Sequence, residues 1–330
     1  MKKIFVVGSN SFSGSNFIDK ALSEEFDIIG ISRSKEPQDF FLKYKQNDNY
    51  KNNFKFFDLD LNQNLDEIIS LVSEFKPEFL INFSAQGMVA ESWKNPIDWY
   101  QTNLISQVKF HDKLRKFDFL EKYLNFSTPE VYGNIEGWTK ENFNFAPSTP
   151  YATSRAACDL HLMSFHKNYE FPVIFTRAAN VFGPGQQLYR IIPKAILSGV
   201  LEKKMELHGG GYSERSFINI SDTCDATLKI LLNGKAGETY HISTEEKISI
   251  RDLVKKIFKK IGADFDNIVN EREERLGKDQ SYSLDSNKIR NVFSWKESKS
   301  LDDGIEETID WISENLELLK DLPHKYIHKT

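Results

Sequence analysis

The sequence predicts an α/β fold, a doubly wound parallel sheet joined to a smaller, interleaved α/β lobe. Short, nearly continuous apolar runs alternate with stretches of helical spacing, which is typical of parallel strands covered by helices on both faces. The chain has 330 residues, of which 40% are hydrophobic and 28% charged. A chain of this length and composition can bury a large core.

Each element follows from a local pattern. Strands are expected at 3–7, 27–31, 54–57, 79–83, 123–126 and 173–176, and helical stretches at 15–22, 66–75, 96–117 and 150–169. Because crossovers between parallel strands are nearly always right-handed, a doubly wound sheet is the simplest arrangement. After residue 183 the alternation weakens and the connections lengthen, which predicts the smaller lobe.

Composition argues against several classes of function. Lys and Arg number 43 against 48 Asp and Glu, a net charge of −5 with no basic block, so nucleic acid is not an expected partner. No apolar run approaches the roughly 18 residues of a membrane span, so no membrane partner is expected either. The two cysteines, Cys158 and Cys224, do not make a disulfide framework, which favours a cytoplasmic protein. The histidines lack metal-ligand spacing, and no metal is expected.

A glycine turn follows the first predicted strand, in the segment from Gly8 to Gly14. A dinucleotide-binding Rossmann sheet needs a sharp turn here, because glycine permits positive φ and close approach of the backbone to a pyrophosphate. The outer positions of a G-x-x-G-x-x-G pattern are present, and Ser11 stands at the middle one. Two glycines alone would also fit an ordinary strand-to-helix turn, but their place at the first βα junction favours a cofactor site.

The ends of the second and third strands bear on the choice of cofactor. A site for NAD usually has an acid after the second strand, and this chain has Ser32 and Arg33. Arg33 could pair with a 2′-phosphate, which favours NADP, or lie in a surface loop. The segment Asp58-Leu59, after the third strand, could accept a hydrogen bond from the adenine amino group. These strand ends are therefore compatible with either NAD or NADP as the cofactor.

Three later segments point to redox chemistry on a hydroxyl. Tyr151 and Arg155 are four residues apart and share a helix face, so a fixed positive charge is expected to lower the pKa of the phenol. A phenolate can take a proton from a sugar hydroxyl while hydride leaves the same carbon for a nicotinamide. Thr128 could hydrogen-bond that hydroxyl, and Glu130 could remove a proton beside the new carbonyl. One Tyr/Arg pair is commonly a surface contact, but all three segments in this order point to a site.

These segments resemble the extended short-chain dehydrogenase/reductases of the nucleotide-sugar epimerase and dehydratase family, with the 4,6-dehydratases as the nearest pattern. The segment from Ser127 to Gly133 is similar to S-T-D-E-V-Y-G, and the segment from Tyr151 to Arg155 is similar to Y-x-x-x-K. The segment 82–86 resembles N-x-A-A-x. The resemblance implies further cofactor contacts at Phe12, Ser84 and Ala85. It implies substrate contacts at Gln86, Asn180, Arg190, Arg215, Arg275 and Tyr282.

The resemblance also implies a division of the chain and a mechanism. Residues 1–180 with 216–242 are expected to form the NAD(P)-binding domain, and 181–215 with 243–330 the nucleotide-sugar-binding lobe. Oxidation of the sugar at C4, loss of the C5 proton and of water, and return of hydride to C6 would give a 4-keto-6-deoxy sugar nucleotide. The helical stretches 96–117 and 150–169 are expected to form a homodimer contact.

Two departures from the family pattern keep other activities open. Arg155 replaces the lysine, retaining its charge, and Pro129 replaces an aspartate that in the family protonates the leaving hydroxyl. The alternatives are a 4-epimerase, a 5-epimerase, a 5,6-dehydratase, or a nucleotide-sugar-binding protein with weak catalysis. An epimerase acting at C4 would need Tyr151 and Thr128 but not Glu130.

Overall fold

The structure is a computed structural model that describes residues 1–135, 137–274 and 283–329. Its strands are β1 Lys3–Val7, β2 Asp27–Ser32, β3 Phe54–Asp58, β4 Phe79–Asn82, β5 Lys122–Ser127, β6 Trp138–Thr139, β7 Val173–Ala178, β8 Asn180–Phe182, β9 Met205–His208, β10 Glu214–Arg215, β11 Phe217–Asn219, β12 Thr239–Ile242, β13 Ile248–Ser249, β14 Val269–Arg272 and β15 Ser283–Leu284. Its helices are α1 Phe12–Ser23, α2 Tyr50–Asn53, α3 Leu65–Phe75, α4 Val89–Ser92, α5 Pro96–Tyr100, α6 Ser106–Leu114, α7 Pro150–Tyr169, α8 Ile191–Val200, α9 Ile220–Asn233, α10 Ile250–Ile261, α11 Phe265–Ile268, α12 Asn287–Phe293, α13 Leu301–Glu314 and α14 Leu316–Leu319.

The main sheet is parallel throughout, in the order β12-β7-β5-β4-β1-β2-β3. The chain begins in the middle at β1, builds outward through β2 and β3, and then crosses to β4 on the other side. The order therefore reverses between β1 and β4, and a crevice opens there beyond the carboxyl ends of the strands. The prediction of a doubly wound Rossmann sheet is confirmed.

Two apolar layers cover this sheet. In β1 the alternation of side chains sends Ile4 and Val6 to one face, where α1 and α9 pack, and Phe5 and Val7 to the other, where α3, α6 and α7 pack. A third apolar cluster holds α8, α10 and α13 together beside the sheet, with Ile196, Ile257 and Ile305 fully buried. Short two-stranded pairings such as β8 with β11 connect this lobe to the end of the sheet.

One predicted helix is interrupted. The stretch 96–117 is divided by a π-helical turn at Gln101–Ile105, and its second part, α6, ends at Leu114. π turns widen a helix locally and often occur at functional sites. This one places Asn103 fully inside the protein, where it donates to Ser154 Oγ at 3.0 Å.

Across the described part of the chain, no helix is both long enough and apolar enough to cross a lipid bilayer.

Candidate active site

The carboxyl ends of the strands open into a cavity of about 650 Å³ between the sheet and the lobe. Its lining includes many of the residues predicted from the sequence: Ser11, Phe12, Arg33, Ala85, Gln86, Thr128, Glu130, Tyr151, Arg155, Asn180 and Arg190. A second cavity of about 350 Å³ is lined by Arg33, Ser34, Asp58, Asp60, Gln63, Asn64 and Lys329. Both of these cavities include Arg33, so they meet at the end of β2.

The glycine turn is tightly packed. Gly8 has φ +85°, and a Cβ there would lie 2.8 Å from the backbone nitrogen of Ser84. A Cβ on Gly14 would lie 2.2 Å from the carbonyl oxygen of Gly8. Ser11 caps α1, because its Oγ accepts from the backbone N–H of Gly14 at 3.0 Å. The serine at the middle position therefore has a structural role, and the turn presents a helix N-terminus that fits a dinucleotide pyrophosphate.

The end of β2 is held against the glycine turn. Ser32 Oγ accepts from the backbone N–H of Asn10 at 2.9 Å, and the Asn10 amide donates to the carbonyl of Ser34 at 2.9 Å. Leu59 is buried and donates its backbone N–H to the carbonyl of Ser32 at 3.0 Å, while Asp58 is exposed and faces the second cavity. These contacts shape the end of β2, where the sequence predicts the adenosine end of the cofactor.

The loop after β4 is fixed by amide side chains. Asn82 Oδ1 accepts from the backbone N–H of Ser84 at 2.9 Å and from its Oγ at 2.6 Å. Gln86 donates its backbone N–H to Asn103 Oδ1 at 2.8 Å. Asn103 was not predicted from the sequence. In the sequence, Asn103 is only a polar residue within a helical stretch, a pattern that ordinarily indicates a solvent-exposed side chain.

Thr128 and Glu130 lie directly after β5. Thr128 is the N-cap of a short 3₁₀ turn, Pro129–Tyr132, and its Oγ1 accepts from the Glu130 N–H at 3.3 Å. Proline suits the first position of such a turn because its fixed φ matches and its missing N–H would have no partner there. Pro129 is thus compatible with the local backbone, although it supplies no acid.

Tyr151 lies in the first turn of α7, a helix capped by Thr149, whose Oγ1 accepts from the N–H of Ala152 at 3.1 Å. Burial raises the pKa of the Tyr151 phenol above its ordinary value, and the Glu130 carboxylate raises it further. The positive charge of Arg155 and a hydrogen bond with Thr128 act in the opposite direction. The expectation of a lowered phenol pKa is therefore wrong. The upward effects of burial and of the Glu130 charge on this pKa are larger than the downward effect of Arg155.

The Arg155 side chain is buried beneath the cavity, with 3% of its surface exposed. It donates from Nη2 to the carbonyl of Phe126 at 2.5 Å and from Nη1 to the carbonyl of Ser84 at 3.4 Å. Its buried Nε has no hydrogen-bond partner among the residues that the structure describes. A buried donor left over in the cavity wall fits a site that takes a polar ligand.

The predicted substrate residues divide into three groups. Asn180 is held by two hydrogen bonds to the carbonyl of Ser216, and Arg190 is exposed at the start of α8, both on the cavity wall. Arg215 is buried in β10 and donates to the carbonyl of Glu214, and it is not among the described residues that line the cavity. Arg275 and Tyr282 lie outside the described residues.

The fold and the site define the class of the protein. A glycine turn at the first βα junction, with a tyrosine, a threonine and a carboxylate on the wall of the same crevice, is the arrangement of an extended short-chain dehydrogenase/reductase. The chain belongs to the GDP-mannose 4,6 dehydratase family, whose model matches residues 5–308.

Named relatives support this assignment. The chain is 33% identical to a dTDP-glucose 4,6-dehydratase of Streptomyces niveus over 238 residues, which cover 72% of this chain and 70% of the relative. It is 27% identical to a trifunctional UDP-glucose 4,6-dehydratase/3,5-epimerase/reductase of Arabidopsis thaliana, matching 98% of this chain and half the length of that protein.

Similarity to a solved structure supports the same family assignment. The dTDP-glucose 4,6-dehydratase of Streptomyces venezuelae, determined with NAD bound, superposes with a TM-score of 0.88 at 25% identity, covering 96% of this chain and 98% of that chain. A UDP-glucose 4-epimerase of Thermotoga maritima, at 23% identity, shares the fold. The predictions of a nucleotide-sugar dehydratase/epimerase and of a NAD(P) cofactor are confirmed.

Proposed function

We propose that this chain is a nucleotide diphosphate sugar 4,6-dehydratase in which Tyr151, Thr128 and Glu130 act on the sugar. The observation that carries the proposal is the placement of these three side chains on one wall of the 650 Å³ cavity, at the end of β5 and the start of α7. Removal of hydride from C4 of the sugar and its return to C6 is the chemistry that a bound nicotinamide cofactor would supply at this site.

Tyr151 is assigned as the base at the sugar 4-hydroxyl. The proton of that hydroxyl moves to the phenolate oxygen, and Thr128 orients the hydroxyl through its own Oγ1. Arg155 and Arg190 each favour the phenolate by their charge, which offsets part of the cost of burial.

Glu130 is assigned to the elimination. Its carboxylate takes the proton from C5, the C5–C6 double bond forms, and the C6–OH bond breaks. Because Pro129 has no acidic group, Glu130 returns the same proton to the departing hydroxyl, so that water leaves and charge balances. One carboxylate serving both steps requires the C5 proton and the leaving C6 hydroxyl to lie on the same side of the sugar. When hydride returns to C6, C5 takes up a proton from water, so that the 4-keto-6-deoxy product balances.

The remaining assignments concern the ligands and the assembly. Gly8, Gly14 and the cap at Ser11 would hold the cofactor pyrophosphate, and Asn180 and Arg190 would contact the nucleotide sugar. Exposed apolar side chains at Ile97, Ile105 and Leu160, on α5, the π turn and α7, support a homodimer. The two buried free cysteines fit a cytoplasmic location.

The test is turnover of a panel of dTDP-, GDP- and UDP-sugars, followed through the alkali-induced absorbance of a 4-keto product. Glu130→Gln should reduce elimination by about 10²–10⁴-fold, the usual effect of a general base, while C4 oxidation continues. The matched control is Glu206→Gln, because Glu206 also lines the cavity but pairs with Arg272 at 2.8 Å.

Two results would count against the assignment. Elimination that persists in Glu130→Gln would show that another group removes the C5 proton. A 4-epimerised sugar with no 4-keto product in the wild type would make the chain an epimerase, the alternative that Pro129 favours because the aspartate of the dehydratase pattern is missing.

A further inference from the structure

A segment of the chain, residues 322–329, returns from the lobe to the mouth of the cofactor crevice, and we call it the strap. Its burial alternates, with Leu322, His324, Tyr326 and His328 partly buried and the residues between them exposed. This period of two is that of an extended segment lying on a surface. Tyr326 lines the larger cavity and Lys329 the smaller one.

Two aromatic contacts anchor the strap. The His328 ring stacks on the fully buried Trp99 with centroids 5.1 Å apart and an interplanar angle of 10°, and its Nε2 lies 2.7 Å from Asp98 Oδ2. Tyr326 packs edge-on against Tyr189 at 5.4 Å. These contacts fix the strap on both sides of the crevice.

The end of the strap connects two predicted ligand-binding residues. The carbonyl oxygen of Lys329 accepts from Gln86 Nε2 at 2.6 Å and from Arg33 Nη1 at 3.2 Å. Tyr326 donates to Gln86 Oε1 at 3.3 Å, so both ends of that amide are bound to the strap. The strap is a wall of the site and not a plug, because both cavities are present with the strap in place.

Lys329 adds a second cation beside Arg33. Its Nζ donates to Ser34 Oγ at 3.2 Å, on the cavity that Arg33 also lines. Within the described ranges neither cation forms an ion pair, although Asp58 and Asp60 share the cavity. Two neighbouring cations repel each other, and an anion between them removes that cost.

We propose that the strap is part of the cofactor site and that Arg33 and Lys329 together bind the 2′-phosphate of NADP. The proposal rests on the dinucleotide site of the family and adds a residue from the far end of the chain to it. A 2′-phosphate carries close to two negative charges near neutral pH and accepts from both a guanidinium and an ammonium group. Ser32, in place of the acid typical of NAD sites, leaves room for that charge.

The experiment is a calorimetric titration of the full chain, cleared of bound dinucleotide, with ADP-ribose and with 2′-phospho-ADP-ribose. The wild type should bind the phosphorylated probe more tightly. Lys329→Ala should weaken that binding about tenfold, the loss of one charge-assisted hydrogen bond at a partly exposed site, and leave ADP-ribose within about twofold. Lys329→Arg should restore binding.

Lys325→Ala is the matched control, because Lys325 is an exposed lysine on the same strap. It should leave both affinities unchanged. Equal affinity of the wild type for the two probes would overturn the phosphate clamp. If Arg33→Ala weakens binding of the phosphorylated probe and Lys329→Ala does not, the strap is not part of the phosphate site. The dinucleotide site itself would be unaffected by that result. Failure of the wild type to bind either probe would overturn the dinucleotide site itself.

Discussion

Arg177 Nη2 donates to Asp159 Oδ2 at 2.8 Å, and both side chains are completely buried. Asp159 also accepts from Asn125 Nδ2 at 2.8 Å and from Ser127 Oγ at 2.7 Å. The pair therefore joins β5, β7 and α7 directly beneath the site. Ser127 immediately precedes Thr128, so this network positions the end of β5 that carries the proposed catalytic residues.

Removing the negative charge of this pair should destabilise the fold strongly. Asp159→Asn leaves the Arg177 guanidinium buried and without its counter-charge, and we expect a loss of about 3–5 kcal/mol in the free energy of unfolding. Urea denaturation of the wild type and the variant measures this difference directly.

A surface pair provides the control. Asp112 pairs with Arg115 at 2.8 Å, but the two side chains are 45% and 29% exposed. Asp112→Asn should therefore cost less than about 1 kcal/mol. Equal losses in the two variants would show that burial of the Asp159–Arg177 pair has no special energetic weight.

Local patterns predicted much of this molecule. The run Lys3–Val7 is the first strand, and Pro150–Tyr169 is a helix, with the bounds that the sequence indicated. Both rest on information within a few residues: a run of apolar side chains in one case, and a proline at the first helical position in the other. Ser11 and Pro129, departures from the family pattern, also have local reasons, since each belongs to a capped turn.

Contacts between distant segments could not be predicted in the same way. Periodicity tells which face of a helix is apolar, but not that Asp159 meets Arg177 or that Lys329 reaches Arg33. The pKa of Tyr151 is a similar case. Its spacing from Arg155 is visible in the sequence, whereas the burial and the Glu130 charge that outweigh Arg155 depend on the folded chain.

The charge of Arg155 should control the pH dependence of turnover. Arg155 favours the Tyr151 phenolate, so Arg155→Met should raise the pKa of Tyr151 further. Because the phenolate is the reactive form, the acidic limb of the pH–rate profile should move to higher pH. Steady-state rates from pH 6 upward, with cofactor occupancy measured separately, test this.

Arg155→Lys is the comparison that separates charge from shape. Lysine keeps the positive charge and lacks the guanidinium fork that reaches the carbonyls of Ser84 and Phe126. The acidic limb of the pH–rate profile of Arg155→Lys should stay close to that of the wild type. An unshifted limb in Arg155→Met would mean that Arg155 has only a structural role.

Acid should destabilise the protein through His241. Burial lowers the pKa of this histidine to about 3, with the charge of Arg177 as a further cause, while its ring contacts Tyr132 Oη at 2.8 Å. The unfolded chain binds the proton near pH 6.5 and the folded chain does not, so folding stability is retained above that pH and falls as the pH drops toward 3. The loss should be about 1.4 kcal/mol per pH unit for this one group.

Urea denaturation between pH 6 and pH 4.5 measures how steeply the free energy of unfolding falls with pH. This slope should be smaller by that amount in His241→Gln, where the amide can still form a hydrogen bond with Tyr132. His324→Gln, in which a partly exposed histidine is replaced, should keep the wild-type slope. Identical slopes in the wild type and His241→Gln would mean that another buried group, such as His111, carries the acid sensitivity.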